Sequence, residues 1–504
     1  MTTTVADVVA DGLARAGTPR VFSYPDERSG SALLEPVRRR GLEVVETRGE
    51  TAACLMAAVT GTLAGAPGAA VITGGRGLGR ALGGVAYAFL DRSPLVVVTT
   101  GADGPRVNHR ASLAAITKAT LDVGADSAAH WIAHACQLAM KEPWGPVHLD
   151  VAAGVVETAA LPVATACRPG PLPGPDAASL DSATRLLATA TRPLVVVGLQ
   201  VRSEADATWL RAFVEALPAP VLVTRKAKGA LPDPHPLVMG TFGGGGGEAE
   251  LLEKADLVVA FGLDPVEVRP RGWPAETPVL HLAAAGPQTS PHYRVTVALV
   301  GDIGLLLEEL APRLRERQFA DWDVARLHAL KQAMAAPPPA GSASLAAYRM
   351  VEVARQLTSA GTVAVFDIGQ HLGAGVRAWP AVAPGECLVP GHLAADGFAL
   401  PAAIAAQLAR REQRVVCFTE PHALRAAVGE LDTLAALALP VLVVVFRESA
   451  APSLLTLARG AGVAGFTAGS TEQFRTAFAS ALEGGAPTII EATLATGKGS
   501  VQKK

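Results

Sequence analysis

The chain has 504 residues, 50% of them hydrophobic, and a formal net charge of only -2. That is enough apolar surface for about three globular domains, and it leaves no field that would favour nucleic acid or an anionic membrane surface. The expected partners are small neutral or anionic metabolites, and the five scattered cysteines (Cys54, Cys136, Cys167, Cys387, Cys417) form no C-x-x-C pair, which fits a reducing compartment and argues against structural zinc.

Val5–Ala16 reads as an amphipathic helix rather than a cationic leader, and no charge-free apolar span reaches about 18 residues, so the expected location is cytoplasmic. Short β-branched runs then alternate with longer stretches of helical period. In the first third the runs are Arg20 to Phe22, Leu42 to Val45, Ala69 to Thr73, Leu95 to Thr100 and Val147 to Asp150. The middle third has Leu194 to Gly198, Val221 to Thr224, Leu257 to Phe261 and Val295 to Val300. The last has Thr362 to Phe366, Val415 to Phe418, Val441 to Phe446 and Thr488 to Glu491. Strands this apolar are buried on both faces, which predicts an α/β fold of three doubly wound parallel-sheet domains. Proline-rich stretches place linkers at 161–179 and 333–344, separating domains at 1–160, 180–332 and 345–504.

Open parallel sheets bind ligands at the carboxyl ends of their strands. Four such places hold candidate residues. Glu50 follows Glu46-Thr47-Arg48-Gly49 and opens a helix, either as a functional carboxylate or as a helix-capping acid. Gly74-Gly75-Arg76-Gly77 forms a glycine-rich turn that suits an anion or is a plain tight turn. Asp367-Ile368-Gly369-Gln370-His371 follows the first strand of the last third, and Glu420-Pro421-His422 and Arg447-Glu448 follow the next two. A salt bridge between Glu420 and Arg447 is the bland account of the last pair. In the middle third, Gly243 to Gly247 can cradle a phosphate or simply form a flexible loop.

These residues carry a resemblance that covers nearly the whole chain. Val21-Phe22-Ser23-Tyr24-Pro25, Thr47-Arg48-Gly49-Glu50-Thr51-Ala52-Ala53 with Met56-Ala57, Asp91-Arg92-Ser93-Pro94, Gly145 to Asp150, Gly369-Gln370-His371 and Leu400 to Ala403 occur in the expected order. Together they are similar to the signatures of the thiamine diphosphate (ThDP) dependent family that includes acetolactate synthase and the 2-oxo acid decarboxylases. Lys228-Gly229-Ala230 and His235-Pro236-Leu237 with Gly240 resemble the acetolactate synthase branch. The resemblance implies pyrimidine-binding, central and diphosphate-binding domains, a homodimer or homotetramer, a small 2-oxo acid or other small anionic metabolite as substrate, and Glu50 as the catalytic carboxylate on the aminopyrimidine ring. It places Gly75, Arg76, Gly369, Gln370, His371, Asp396, Glu420, His422 and Arg447 around the cofactor.

Departures from the family pattern are concentrated in that site. Glu420-Pro421-His422 stands at the family's G-D-G and Arg447-Glu448 at its N-N, so the usual magnesium ligands are replaced by a proline and a guanidinium. Asp396 takes the place of a bulky apolar residue, Arg76 of a proline and Arg80 of an asparagine. His281-Leu282-Ala283-Ala284 stands where carboxylates would meet a nucleotide ribose. The expectation is therefore no metal ligand, no magnesium and no FAD, with conventional use of ThDP in doubt. Three readings stay open: a family member of altered chemistry, an active 2-oxo acid carboligase or decarboxylase whose cofactor is anchored by Arg447 without metal, and a non-catalytic regulatory partner of an active paralogue.

Overall fold

The computed structural model describes residues 2–24, 31–73, 76–100, 108–243, 247–268, 273, 276–286, 293–314, 320–391, 397–448 and 451–494. Within them lie three six-stranded parallel sheets flanked by helices. The first contains β1 (Arg20–Ser23), β2 (Glu43–Glu46), β3 (Gly68–Thr73), β4 (Leu95–Thr100), β5 (Ala119–Val123) and β6 (Pro146–Val151), in the order β2-β1-β3-β4-β6-β5. The second contains β7 (Pro193–Val197), β8 (Val221–Val223), β9 (Val238–Thr241), β10 (Leu257–Phe261), β11 (Val279–Ala283) and β12 (Val295–Val300), in the order β12-β11-β10-β7-β8-β9. The third contains β13 (Val363–Phe366), β14 (Cys387–Leu388), β15 (Val415–Thr419), β16 (Leu442–Glu448), β17 (Ala464–Ala468) and β18 (Thr488–Leu494), in the order β14-β13-β15-β16-β18-β17. Counted from its own first strand, the third sheet repeats the order of the first.

The physical basis of these sheets is the one the sequence announces. Strands β4, β7, β10 and β15 are buried at every position, as strands covered by helices on both faces must be. The five strands without a clear sequence signal have identifiable causes. Edge strands β5, β9, β14 and β17 are short or half exposed, so they lack a continuous apolar run. In β11 the run is interrupted by His281, which is nevertheless buried and bonds the Leu263 carbonyl through Nε2 at 3.1 Å. Strand β16 also runs two residues further than its apolar stretch, so Arg447 and Glu448 are strand residues rather than loop residues.

The chain forms two compact units. One comprises Met1–Gly170, His392–Ala468 and Ala477–Ala492, and the other Pro171–Gly391, Gly469–Thr476 and Thr493–Lys504. In the first unit the helix Glu50–Ala64 is buried at every position from Ala52 to Gly61. The helices Arg76–Leu90 and Ala399–Ala409 both lie against it, and small side chains allow the close approach. At Gly84 an added Cβ would stand 2.6 Å from the Cβ of Cys54 and 2.7 Å from the Thr51 carbonyl oxygen. Tyr87 and Phe398, ring centroids 5.0 Å apart, extend the contact. In the second unit the helices Ala177–Thr189, Glu204–Ala216 and Ile303–Leu310 cover the central sheet, with Phe213 edge-on to Phe261 at 4.8 Å.

Among the described residues no helix is long and apolar enough to cross a membrane. Because nothing at the Gly84 contact is a flexible side-chain tip, Gly84→Ala is expected to overpack the helix pair and cost about 1–3 kcal/mol, read as a lower urea midpoint than wild type.

Candidate functional site

Glu50 is held by the way its own segment folds. Strand β2 ends at Glu46, the Thr47 amide bonds the Ser23 carbonyl at 2.9 Å, and the Thr47 hydroxyl bonds the Gly49 carbonyl at 3.0 Å. Gly49 is the N-cap, leaving Glu50 as the first residue of its helix, where the dipole favours a carboxylate. No side chain caps that end. Glu50 is only 6% exposed; its Oε2 lies 3.7 Å from the guanidinium of the exposed Arg80 and makes no hydrogen bond. A buried carboxylate oxygen without a donor is costly unless a ligand supplies one. Among the described residues no side-chain cap bond is made at this helix start, and Oε2 of Glu50 is left without a hydrogen bond.

A second buried glutamate fixes the same loop. Glu430, 2% exposed, accepts the Arg48 amide through Oε1 at 2.8 Å, and its Oε2 accepts the Thr433 hydroxyl at 2.8 Å. Gly429 lies against Arg48 so closely that a Cβ there would be 2.9 Å from the Arg48 Cβ. Burial pushes the Glu430 carboxyl up to about 7, against the lowering effect of its hydrogen bonds from Thr433 and Arg48. The residue two positions before Glu50 is therefore anchored to the segment that starts the helix Glu430–Ala436. Nothing in the sequence names the partner of Glu430, which lies 382 positions from Arg48.

Glu420, His422 and Arg447, also of the first unit, sit at the ends of β15 and β16. Glu420 is the N-cap of the short helix Pro421–Ala426 with φ -122° and ψ 161°, extended backbone that any residue adopts. Glycine is therefore not required there by conformation, whatever its use for close approach elsewhere in the family. His422, exposed, has its Nδ1 3.7 Å from Oε2 of Glu420. Arg447 is not a loop residue reaching outward. Its Nε lies 3.3 Å from Oε2 of Glu491, a fully buried carboxylate on β18, and its Nη1 donates to the carbonyls of Glu448 and Ala451. Glu491 in turn accepts the Leu454 amide at 2.5 Å. The bland expectation paired Arg447 with Glu420; the structure gives it Glu491. The signal for Glu491 was a single acid inside the apolar strand Thr488-Ile489-Ile490-Glu491-Ala492.

Gly369, Gln370 and His371 belong to the second unit. They follow β13, with Gln370 exposed and His371 buried as the N-cap residue of the helix Leu372–Ala378. Gly75 and Asp396 lie outside the described residues, and Arg76 is described only as the first residue of its helix.

Two outcomes follow from this geometry. The folded-state pKa of Glu430 lies above its ordinary 4.5, so its contribution to stability is fully present below about 4.5 and is lost as pH rises through about 7. Glu430→Gln is expected to flatten the dependence of the unfolding midpoint on pH across that window, measured by denaturant titration at a series of pH values. Arg447→Ala leaves the Glu491 charge buried without its partner and is expected to cost about 3–5 kcal/mol, while Arg447→Leu with Glu491→Leu recovers most of the loss in the same assay.

Comparisons with known proteins agree with this architecture. Residues 3–120 match the thiamine pyrophosphate enzyme N-terminal TPP binding domain, residues 180–310 its central domain and residues 367–451 its C-terminal TPP binding domain. Acetolactate synthase of Bacillus subtilis (strain 168) is 26% identical over 468 residues, covering 88% of this chain and 81% of the relative. The acetolactate synthase isozyme 3 large subunit of Escherichia coli (strain K12) is 26% identical over 480 residues, covering 87% and 81%. The acetolactate synthase large subunit of Parasynechococcus marenigrum (strain WH8102) is 27% identical over 564 residues, covering 98% and 88%. The fold is that of a crystal structure assigned as a thiamin diphosphate-dependent enzyme from Mycobacterium smegmatis, with a TM-score of 0.81 at 21% identity over 98% of this chain and 100% of that one. With all three domains of one enzyme matched in order and acetolactate synthases aligned along most of its length, the chain belongs to the thiamine-diphosphate-dependent family and is acetolactate synthase-like.

Proposed function

We propose that this protein keeps the pyrimidine-activating end of the family's site and has lost the magnesium anchor at the diphosphate end, so that it does not use magnesium-ThDP in the conventional way. The observation that carries this reading is the ion pair of Arg447 with Glu491. A guanidinium already neutralised by a buried carboxylate and bonded to two carbonyls is committed to contacts within the chain, and it is a poor substitute for a metal ligand. Proline at 421 supplies no side-chain oxygen, and Glu420 adds a negative charge where two phosphate groups would sit. The residues therefore do not fit magnesium diphosphate.

The pyrimidine end argues the other way. ThDP, when bound, supplies an ylid nucleophile and an electron sink for 2-oxo acid chemistry. Glu50 is the group of this chain suited to accept a hydrogen bond from the aminopyrimidine, because its Oε2 is buried and makes no hydrogen bond among the described residues. The substrate class that accords with the relatives is a small 2-oxo acid or another small anionic metabolite. Homodimeric or homotetrameric assembly in the cytoplasm, without flavin, completes the reading.

Calorimetric titration of the apo protein with ThDP, run once with magnesium and once with EDTA, tests it. The expected outcome is that magnesium gives no tighter binding than EDTA. Tight binding that requires magnesium would overturn the proposal and identify a conventional cofactor site.

A further inference from the structure

The second unit contains a cavity of about 150 Å³ that none of the candidate residues above uses. Volume of this size holds on the order of ten water-sized positions, enough for a small metabolite. It lies beside edge strand β9, between the helices Val324–Ala335 and Leu372–Ala378, and Arg225, Lys228, Asp233, Lys331, Met334 and Arg377 line it.

Asp233 is the one acid among the described residues that line it. Lys228, 5% exposed, is paired with Asp233 at 2.6 Å, and that carboxylate also accepts the Ala381 amide at 2.7 Å. Asp233 is thus occupied on the spot. Lys331 donates to the carbonyls of His235 and Pro236 at 2.8 and 3.2 Å, and Arg377 donates to the Ala336 carbonyl at 2.8 Å. Carbonyl oxygens orient a cation without neutralising it. Burial lowers the Lys331 pKa, against the raising effect of Asp233, as expected for an ammonium that gains no full counter-charge.

We propose that this cavity is a binding site for a small organic anion carrying two negative charges, held by Lys331 and Arg377 over an apolar floor that includes Met334. A guanidinium offers a bidentate fork to a carboxylate or phosphate, an ammonium adds a point charge, and a concave site with a few convergent polar groups is the usual form of a small-ligand pocket. The wall formed by Gly373, Val376 and Arg377 belongs to the helix that begins immediately after Gly369-Gln370-His371, so an occupant bears on the element carrying those residues.

Titration calorimetry of the full chain at low ionic strength, with inorganic phosphate and with succinate as separate probes, tests the site. Wild type is expected to bind at least one of them saturably; phosphate alone points to a phosphorylated ligand, succinate alone to a dicarboxylate. The double variant Lys331→Gln/Arg377→Gln is expected to bind at least tenfold more weakly. Arg326→Gln removes a cation of the same unit that is paired with Glu250 and is expected to bind as wild type. A melting curve of each variant establishes folding, and Arg377→Gln alone, at an exposed position, replaces the double variant if the latter melts early. Absence of saturable binding in wild type, or equal binding in the variants that lack the pocket cations, overturns the proposal.

Discussion

The constraint on which the first unit depends is the close packing of the helix Glu50–Ala64. It is buried almost end to end, and its neighbours can approach only because the facing positions are glycine, alanine and cysteine. Protein interiors transmit a misfit of a single methyl group, because they are close-packed and relax poorly. A helix wedged in this way fixes the position of its first residue. Glu50 is that residue, so the packing of Gly84 against Cys54 and the bond from Glu430 to the Arg48 amide both act on the placement of one carboxylate.

Two buried glutamates and one buried arginine pair illustrate opposite ways of treating charge. Glu430 spends both oxygens on an amide and a hydroxyl, whereas Glu491 accepts an amide through Oε1 and turns Oε2 to the Arg447 guanidinium without a hydrogen bond. Among the described residues Oε2 of Glu50 likewise makes no hydrogen bond, and its guanidinium neighbour, the exposed Arg80, stands further off at 3.7 Å against 3.3 Å for Arg447 and Glu491.

The same logic governs the diphosphate end. Replacing an aspartate and an asparagine by Pro421 and Arg447 could in principle convert a metal site into a direct cationic site for phosphate. That conversion needs a guanidinium with donors directed at the ligand and a charge left to share. Arg447 instead faces a carboxylate from β18 and donates to the Ala451 carbonyl. The scaffold is that of the family.

The sequence by itself determined the α/β class, the parallel sheets and the position of Glu50 at a helix start. Burial on both faces demands continuous β-branched runs, and a strand followed by a glycine N-cap leaves little choice for the next residue. It also determined the family, because collinear motifs survive at 26% identity. It did not reveal the half-exposed edge strands β5, β9, β14 and β17, whose composition is that of loops. Nor could it say that Arg447 meets Glu491 rather than Glu420, that Glu430 holds the Arg48 amide, or that Lys331 and Arg377 line one cavity. These pairings join residues tens to hundreds of positions apart, and only the tertiary structure decides which distant charges share a low-dielectric neighbourhood, because that choice is made by the packing of strands and helices and not by local chemistry.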